Sequence, residues 1–361
     1  MKTAIAQVNL SALQHNLSQV KQLAPDSNVL AVCKANGYGH GLVEVAQALE
    51  QADAYGVARI EEAFQLRTAG ITKTIVLLEG FFQAKDIASI AVNQFQTIVH
   101  CEQQLIELEQ ASLHLSTHSQ IKVWLKIDTG MSRLGVNPAQ VDEFVARLQA
   151  CPLVHSELTF ITHLACADEL NNDYNQLQLS LFEQACQAYP FAQSIANSAA
   201  TMVLENTRRT WVRPGIMLYG VSPIEGEAGI ERNLKPVMTL SSSLISVKAI
   251  SAGTKVGYGS TWQADKPTKL GVVAIGYGDG YPRHAKNGTP VLVNGRIVPL
   301  VGRVSMDMIM VDLGIDSIEQ VGDTAILWGE GLPIERVADS AGTIPYEILC
   351  QLTSRVRWQY V

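Results

Sequence analysis

The stretch 29-VLAVCKANGYGHG-41 decides how the first half of the chain is read. A short apolar run leads into Lys34, and glycines then surround Tyr38 and His40. A run of that length, closed by glycine, reads as a buried strand that delivers an amine to a tight loop. The arrangement recurs along the chain. Candidate strands lie at 29–34, 55–59, 74–80, 95–100, 121–128, 158–165, 194–198 and 211–215. Between them, segments such as 102–113 and 173–189 repeat their apolar residues at helical spacing. Eight strand–helix units predict an α/β fold closed into a parallel (β/α)8 barrel of the TIM type, not an open doubly wound sheet.

Several of these strands end on polar residues: Lys34, Arg59, His100, Lys126 with Asp128, His163, Ser198 and Arg213. In such a barrel the C-terminal strand ends share one rim, and catalysis sits there. Arg59 and His100 are read as strand ends meeting water; the others have more telling neighbours. The pattern breaks at 222-SPIEGEAGIERNLKP-236, which is polar, bears Gly and Pro, and has no period. Beyond it the sequence turns to Val, Ile, Thr and Gly, as in 237-VMTLSSSLISVKAI-250 and 269-KLGVVAIG-276. The expected organisation is a barrel domain over residues 1–228 and a β-strand-rich C-terminal domain over 229–361.

The bulk numbers narrow the function. The chain has 361 residues and a net charge of -7. No basic block marks it for nucleic acid. No apolar run approaches the ~20 residues that span a bilayer. The N-terminus has no apolar signal region, so a cytoplasmic protein is expected. The six cysteines form no CxxC pair and read as reduced thiols, with no metal site among them.

Three constellations carry chemistry. In 33-CKANGYGHG-41 the dinucleotide fingerprint fails because Leu42 stands at the third glycine position, and no P-loop follows. A lysine facing a pocket from a strand end is instead a candidate Schiff-base former, with Tyr38 able to hold a phosphate. In 126-KIDTGMSRLGV-136 a tight loop presents Arg133, whose fork suits a carboxylate unless it answers Asp128. Asn137 and Pro138 then read as the cap and first residue of a helix. In 197-NSAAT-201 and 213-RPGIMLYG-220, Ser198 and the Gly215 and Ile216 amides are candidate phosphate ligands, with Arg213 facing the same ligand. Taken singly, 257-GYGSTW-262, 276-GYGDGYPR-283 and 302-GRVSMDM-308 read as turns.

Together, and in this order, these segments resemble alanine racemase, a fold-type III enzyme dependent on pyridoxal 5'-phosphate (PLP). The motifs AVCKANGYGHG, LKIDTGMSRLG, THLACADE, ANSAAT, WVRPGIMLYG, VGYGST, GYGDGYPR and GRVSMDM carry the likeness nearly to the C-terminus. The resemblance implies a barrel with a C-terminal β domain and a homodimer that interconverts L- and D-alanine, supplying D-alanine for peptidoglycan. Residue by residue, it makes Lys34 and Tyr258 the two catalytic bases, with Lys34 also carrying PLP and Tyr258 reaching the partner subunit. Tyr38, Ser198, Gly215 and Ile216 would hold the phosphate. Arg213 would face the pyridine nitrogen, and His163 would support Arg213 and Tyr258. Arg133 and the Met306 backbone would take the substrate carboxylate, Tyr277 would narrow the entrance, and Lys126 is a candidate for carbamylation. One departure stands out: Ser354 occupies the position before Arg-Val where some relatives have a phosphate-binding tyrosine.

Two bases suit racemisation, because a proton leaves one face of Cα and returns to the other. A phenol titrates near pH ~10, so a tyrosine base needs positive charge nearby, and His163 with Arg213 is the candidate source. A fold-type III decarboxylase would have an acidic residue where Arg213 stands and a cysteine where Tyr258 stands. A non-catalytic PLP-binding homeostasis protein would lack the second domain.

Overall fold

A computed structural model describes residues 3–115 and 120–361. The chain opens with strand β1 (Ile5–Val8), and Asn9 then caps the helix Leu10–Leu23 by accepting a hydrogen bond from the Ala12 amide. Eight parallel strands follow and close into a barrel: β2 (Asn28–Val32), β3 (Ala54–Val57), β4 (Thr74–Leu77), β5 (Gln96–Val99), β6 (Val123–Lys126), β7 (Thr159–Ile161), β8 (Ala192–Ser194) and β9 (Trp211–Val212). Closure is made where β9 pairs with β2, Asn28 opposite Trp211 and Val29 opposite Val212.

The alternation along these strands separates two cores. Leu30, Ala54, Val76, Ile98, Trp124 and Ile161, from β2 to β7, form a cluster of their own inside the barrel. Their neighbours one position along, such as Val29, Ile75, Val123 and Phe160, pack into the large core shared with the surrounding helices. A strand covered on both faces needs apolar residues at every position, which is why these segments read as continuous apolar runs.

The expected (β/α)8 barrel with a strand-rich second domain is the fold the chain adopts. The strands are shorter than the apolar runs suggest, because the last residues of each run leave the ladder to reach the rim. Ser198 is the clearest case. It does not end a strand: β8 stops at Ser194, and Ser198 opens the helix Ser198–Val203, capped by Asn197.

The second sheet is built around the long strand β10 (Met238–Ile250). After the short hairpin β11 (Lys255–Val256) and β12 (Trp262–Gln263) come β13 (Thr268–Val273), β14 (Pro290–Val293), β15 (Arg296–Pro299), β16 (Ile309–Asp312), β17 (Thr324–Trp328) and β18 (Arg357–Tyr360). The first strand of the chain belongs to this sheet. β1 runs antiparallel to β10 and parallel to β18, although the sequence reading counts it with the barrel. Four residues carry too little pattern to reveal a partner more than 200 positions away. Among the described residues no helix is long and apolar enough to cross a membrane.

Candidate active site

A cavity of about 1320 Å³ opens at the C-terminal rim of the barrel. From the β2 and β6 ends it is lined by Lys34, Tyr38, Lys126 and Arg133; from the β7 to β9 ends, by His163, Ser198, Arg213, Gly215 and Ile216. Residues 222–228 of the linker also wall it.

Lys34 stands at the start of an unusual turn. The next four residues, Ala35, Asn36, Gly37 and Tyr38, have φ of 54°, 55°, 61° and 50°. A run of left-handed residues costs about 1–2 kcal/mol for each L-residue in it, so the surroundings must hold it. The Ala35 amide donates to Glu62 Oε1 at 2.7 Å, and the Leu42 amide to Asn36 Oδ1 at 3.0 Å. Inside the turn, Gly39 N–H donates to Ala35 O and Gly41 N–H to Asn36 O. The neighbouring Cys33 is fully buried, and burial pushes its thiol up to about 12, as befits a core residue.

The turn brings Tyr38 against Gly215. A β-carbon on Gly215 would fall 3.1 Å from Tyr38 Cζ and well inside contact distance of Tyr38 Oη. Only a glycine therefore leaves room for the phenol. Ser198 Oγ accepts a hydrogen bond from the Gly215 amide at 2.8 Å, and Ile216 opens the 3-10 turn Ile216–Tyr219. Two hydroxyls and the N-terminal ends of two helical turns thus converge, the kind of setting that a phosphate takes.

Behind this cradle lies a cationic wall. Arg213 is buried; it donates from Nη1 to Ser194 Oγ at 2.8 Å, and from Nη2 to Thr162 O at 2.7 Å and His163 Nδ1 at 3.2 Å. An arginine can only donate, so His163 Nδ1 is the acceptor and its hydrogen sits on Nε2. Burial first, then the charges of Arg213, Lys126, Arg133 and Lys34, hold His163 well below its ordinary value, so it is neutral. Burial pulls Arg213 down to about 9, and it stays charged at neutral pH. Lys126 falls to about 8, through burial and then Arg213, Arg133 and Lys34. Asp128 does not answer Arg133: its Oδ1 accepts from the Gly130 and Ser132 amides and shapes the loop, and among the described residues Arg133 joins no ion pair. The loop then enters its helix as expected, with Asn137 as the cap and Pro138 the first residue.

Tyr258, Met306 and Tyr277 do not line this cavity. They lie on the β domain, 70%, 52% and 40% exposed. Their segments adjoin. Gly278 N–H donates to Met306 O at 2.9 Å, and Tyr277 N–H to Ser305 O at 3.0 Å. Arg355 braces both loops through Asp279 at 3.1 Å and Asp307 at 2.8 Å. Gly257 packs against Gly302 and Arg303. Three motifs that read singly as turns are therefore one surface. Ser354 is exposed and stands outside the cavity, whereas Tyr346 lines it, 6.1 Å from the Tyr38 ring. The sequence reading missed Tyr346, which sits in the short helix Pro345–Cys350 with no local motif to mark it. Among the described residues no cluster of His, Cys, Asp and Glu could hold a metal ion.

The family "Alanine racemase, N-terminal domain" matches residues 8–223, and "Alanine racemase, C-terminal domain" matches 237–360. An alanine racemase of Vibrio parahaemolyticus is 53% identical over 360 residues, covering 100% of this chain and 99% of that protein. The structure of a biosynthetic alanine racemase from Pseudomonas aeruginosa superposes with a TM-score of 0.95 at 42% identity, over 100% of both chains. That of a Bartonella henselae alanine racemase with covalently bound pyridoxal phosphate superposes at 0.90, with 30% identity over 100% of both chains.

Proposed function

The chain belongs to the alanine racemase family, and on that premise we infer that it interconverts L- and D-alanine with PLP as its cofactor. One observation carries the reading: a single cavity joins a lysine amine, a phosphate cradle and an unpaired arginine fork. The residues fit the cofactor. Tyr38, Ser198 and the Gly215 and Ile216 amides suit its phosphate, Lys34 its aldehyde, and Arg213 its ring nitrogen. When bound, PLP supplies an electron sink that makes the Cα proton of alanine acidic.

The chain's own residues then do the rest. Arg133 takes the alanine carboxylate, with the Met306 backbone as its second ligand. The Lys34 amine moves the proton on one face of Cα and the Tyr258 phenol on the other. His163, held neutral, passes the influence of the Arg213 charge toward that phenol. Arg213, though pulled down to about 9, keeps its own proton at neutral pH. Facing the ring nitrogen, it would donate a hydrogen bond rather than a proton, which would favour return of the proton to Cα over transamination. Tyr277 narrows the entrance, and Lys126, once carbamylated, would orient Arg133.

The exposed positions of Tyr258, Met306 and Tyr277 support a homodimer in which each β domain completes the other subunit's site. A cytoplasmic enzyme supplying D-alanine for peptidoglycan fits this family membership. The direct test is to add L-alanine to purified protein, follow D-alanine by a chiral assay, and repeat with a panel of amino acids. Release of carbon dioxide and ethylamine, or no turnover, would sink the proposal.

A further inference from the structure

His40 takes no part in the chemistry above, yet it is fully buried beneath the left-handed turn. Its Nδ1 lies 2.9 Å from Tyr38 O and 3.2 Å from Gly37 O. Both are carbonyl oxygens and only accept, so Nδ1 carries the ring hydrogen. Nε2 is buried without a hydrogen-bond partner. An apolar side chain would fill the same space without leaving that nitrogen orphaned. What histidine adds there is one N–H aimed at two carbonyls of the strained turn. The ring also packs on Tyr219 at 4.8 Å. Tyr219 in turn stacks on Tyr38 at 4.7 Å and donates its hydroxyl to Val32 O at the end of β2. Burial lowers His40 to about 4, so the ring is neutral and its single hydrogen stays on Nδ1 at working pH.

We propose that His40 is a positioning residue for the cofactor: its Nδ1–H pins the left-handed turn, so that Lys34 at its start and Tyr38 at its end face the cavity together. The proposal rests on the PLP reading of the site. Without the donor, the Tyr38 carbonyl loses its tie to the ring and the Gly37 carbonyl keeps only backbone donors such as the His40 amide, and the turn relaxes toward ordinary right-handed backbone. Tyr38 then leaves Gly215, and the phosphate loses a ligand.

Three variants of the full-length chain test this. His40→Asn keeps an N–H at the δ position, His40→Gln moves it to the ε position, and His40→Leu removes it. Each is freed of PLP and titrated with PLP, following the absorbance of the Lys34 adduct. Amide hydrogen exchange of Gly39 and Gly41 is measured on the same PLP-free chains. His40→Leu and His40→Gln should weaken PLP binding by about 10- to 100-fold, the loss of one buried hydrogen bond, and speed exchange at both glycines. His40→Asn should stay within about threefold of wild type on both readouts. Wild-type affinity in His40→Leu, or equal behaviour of His40→Asn and His40→Gln, would overturn the assignment. Should His40→Leu not fold, the Asn and Gln pair still decides. Were the wild-type chain itself not to take PLP on Lys34, the cofactor reading would fail, while exchange in the PLP-free chains would still judge the role of His40 in the turn.

Discussion

Gly215→Ala tests the phosphate cradle with a single methyl group. Gly215 has φ of -118° and ψ of -95°, outside the regions an L-residue favours, so alanine brings a backbone cost as well as a steric one. The new β-carbon would lie 3.1 Å from Tyr38 Cζ and nearer still to Oη. Carbon atoms pack at about 3.5–4.0 Å, so the tip of the ring has to retreat by roughly 1 Å. The ring is held by Tyr219 at 4.7 Å on one contact and Tyr346 at 6.1 Å on another, so it has little slack. Displacing the hydroxyl removes one hydrogen bond to a charged phosphate, worth about 1.5–3 kcal/mol. That corresponds to a roughly 10- to 150-fold rise in the PLP dissociation constant. The assay is titration of the PLP-free protein, with thermal unfolding alongside to show that the chain folds. Tyr38→Phe removes the hydroxyl without the clash and should cost about the same. The double variant Gly215→Ala, Tyr38→Phe should lose less than the sum of the two single losses, because both act on one hydroxyl. Fully additive losses, or wild-type affinity in Gly215→Ala, would refute the reasoning.

Mixing inactive Lys34→Ala chains with inactive Tyr258→Phe chains should restore racemase activity, since one site of a mixed dimer keeps both bases; no recovery despite proven subunit exchange would mean each site is built within one chain. Arg213→Glu should slow racemisation and raise the yield of pyridoxamine phosphate from alanine, measured by chromatography, because a carboxylate favours a protonated ring nitrogen; an unchanged product ratio would remove Arg213 from the account of reaction choice. At pH 8 the Lys126 amine, pulled down to about 8, is about half neutral. Carbon dioxide reacts with the neutral amine, so a carbamate signal in carbon-13 NMR with labelled bicarbonate should be present at pH 8, fade as pH falls toward 6.5, and be absent in Lys126→Met. The same lowered value has a linkage consequence for chains kept free of carbon dioxide. Between pH 8 and 10.5 the unfolded chain holds the Lys126 proton and the folded one does not, so this residue makes stability rise with pH across that window, and Lys126→Met should abolish its share in urea unfolding.

The sequence by itself determined the barrel, because strands covered on both faces need unbroken apolar runs and the helices between them need a 3.6-residue period. It also determined which residues stand at the rim, since Lys34, Lys126, His163 and Arg213 each follow such a run directly. Local chemistry was legible as well: Asn137 and Pro138 open their helix as their types dictate. What the sequence could not express is proximity between distant segments. Ile5–Val8 pairs with strands that begin at Met238 and Arg357, and a four-residue strand names no partner. Tyr346 reaches the cavity and Ser354 does not, a matter of where one short helix is packed. The left-handed turn after Lys34 was marked by its glycines, but the Glu62 and His40 side chains that bond it at Ala35, Gly37 and Tyr38 are brought there by the fold. The lowered values of Lys126 and His163 likewise arise only where the closed barrel gathers cations from several strand ends into one buried place. Backbone period is a local property and survives in the sequence; burial and charge at a site are sums over neighbours that only the folded chain brings together.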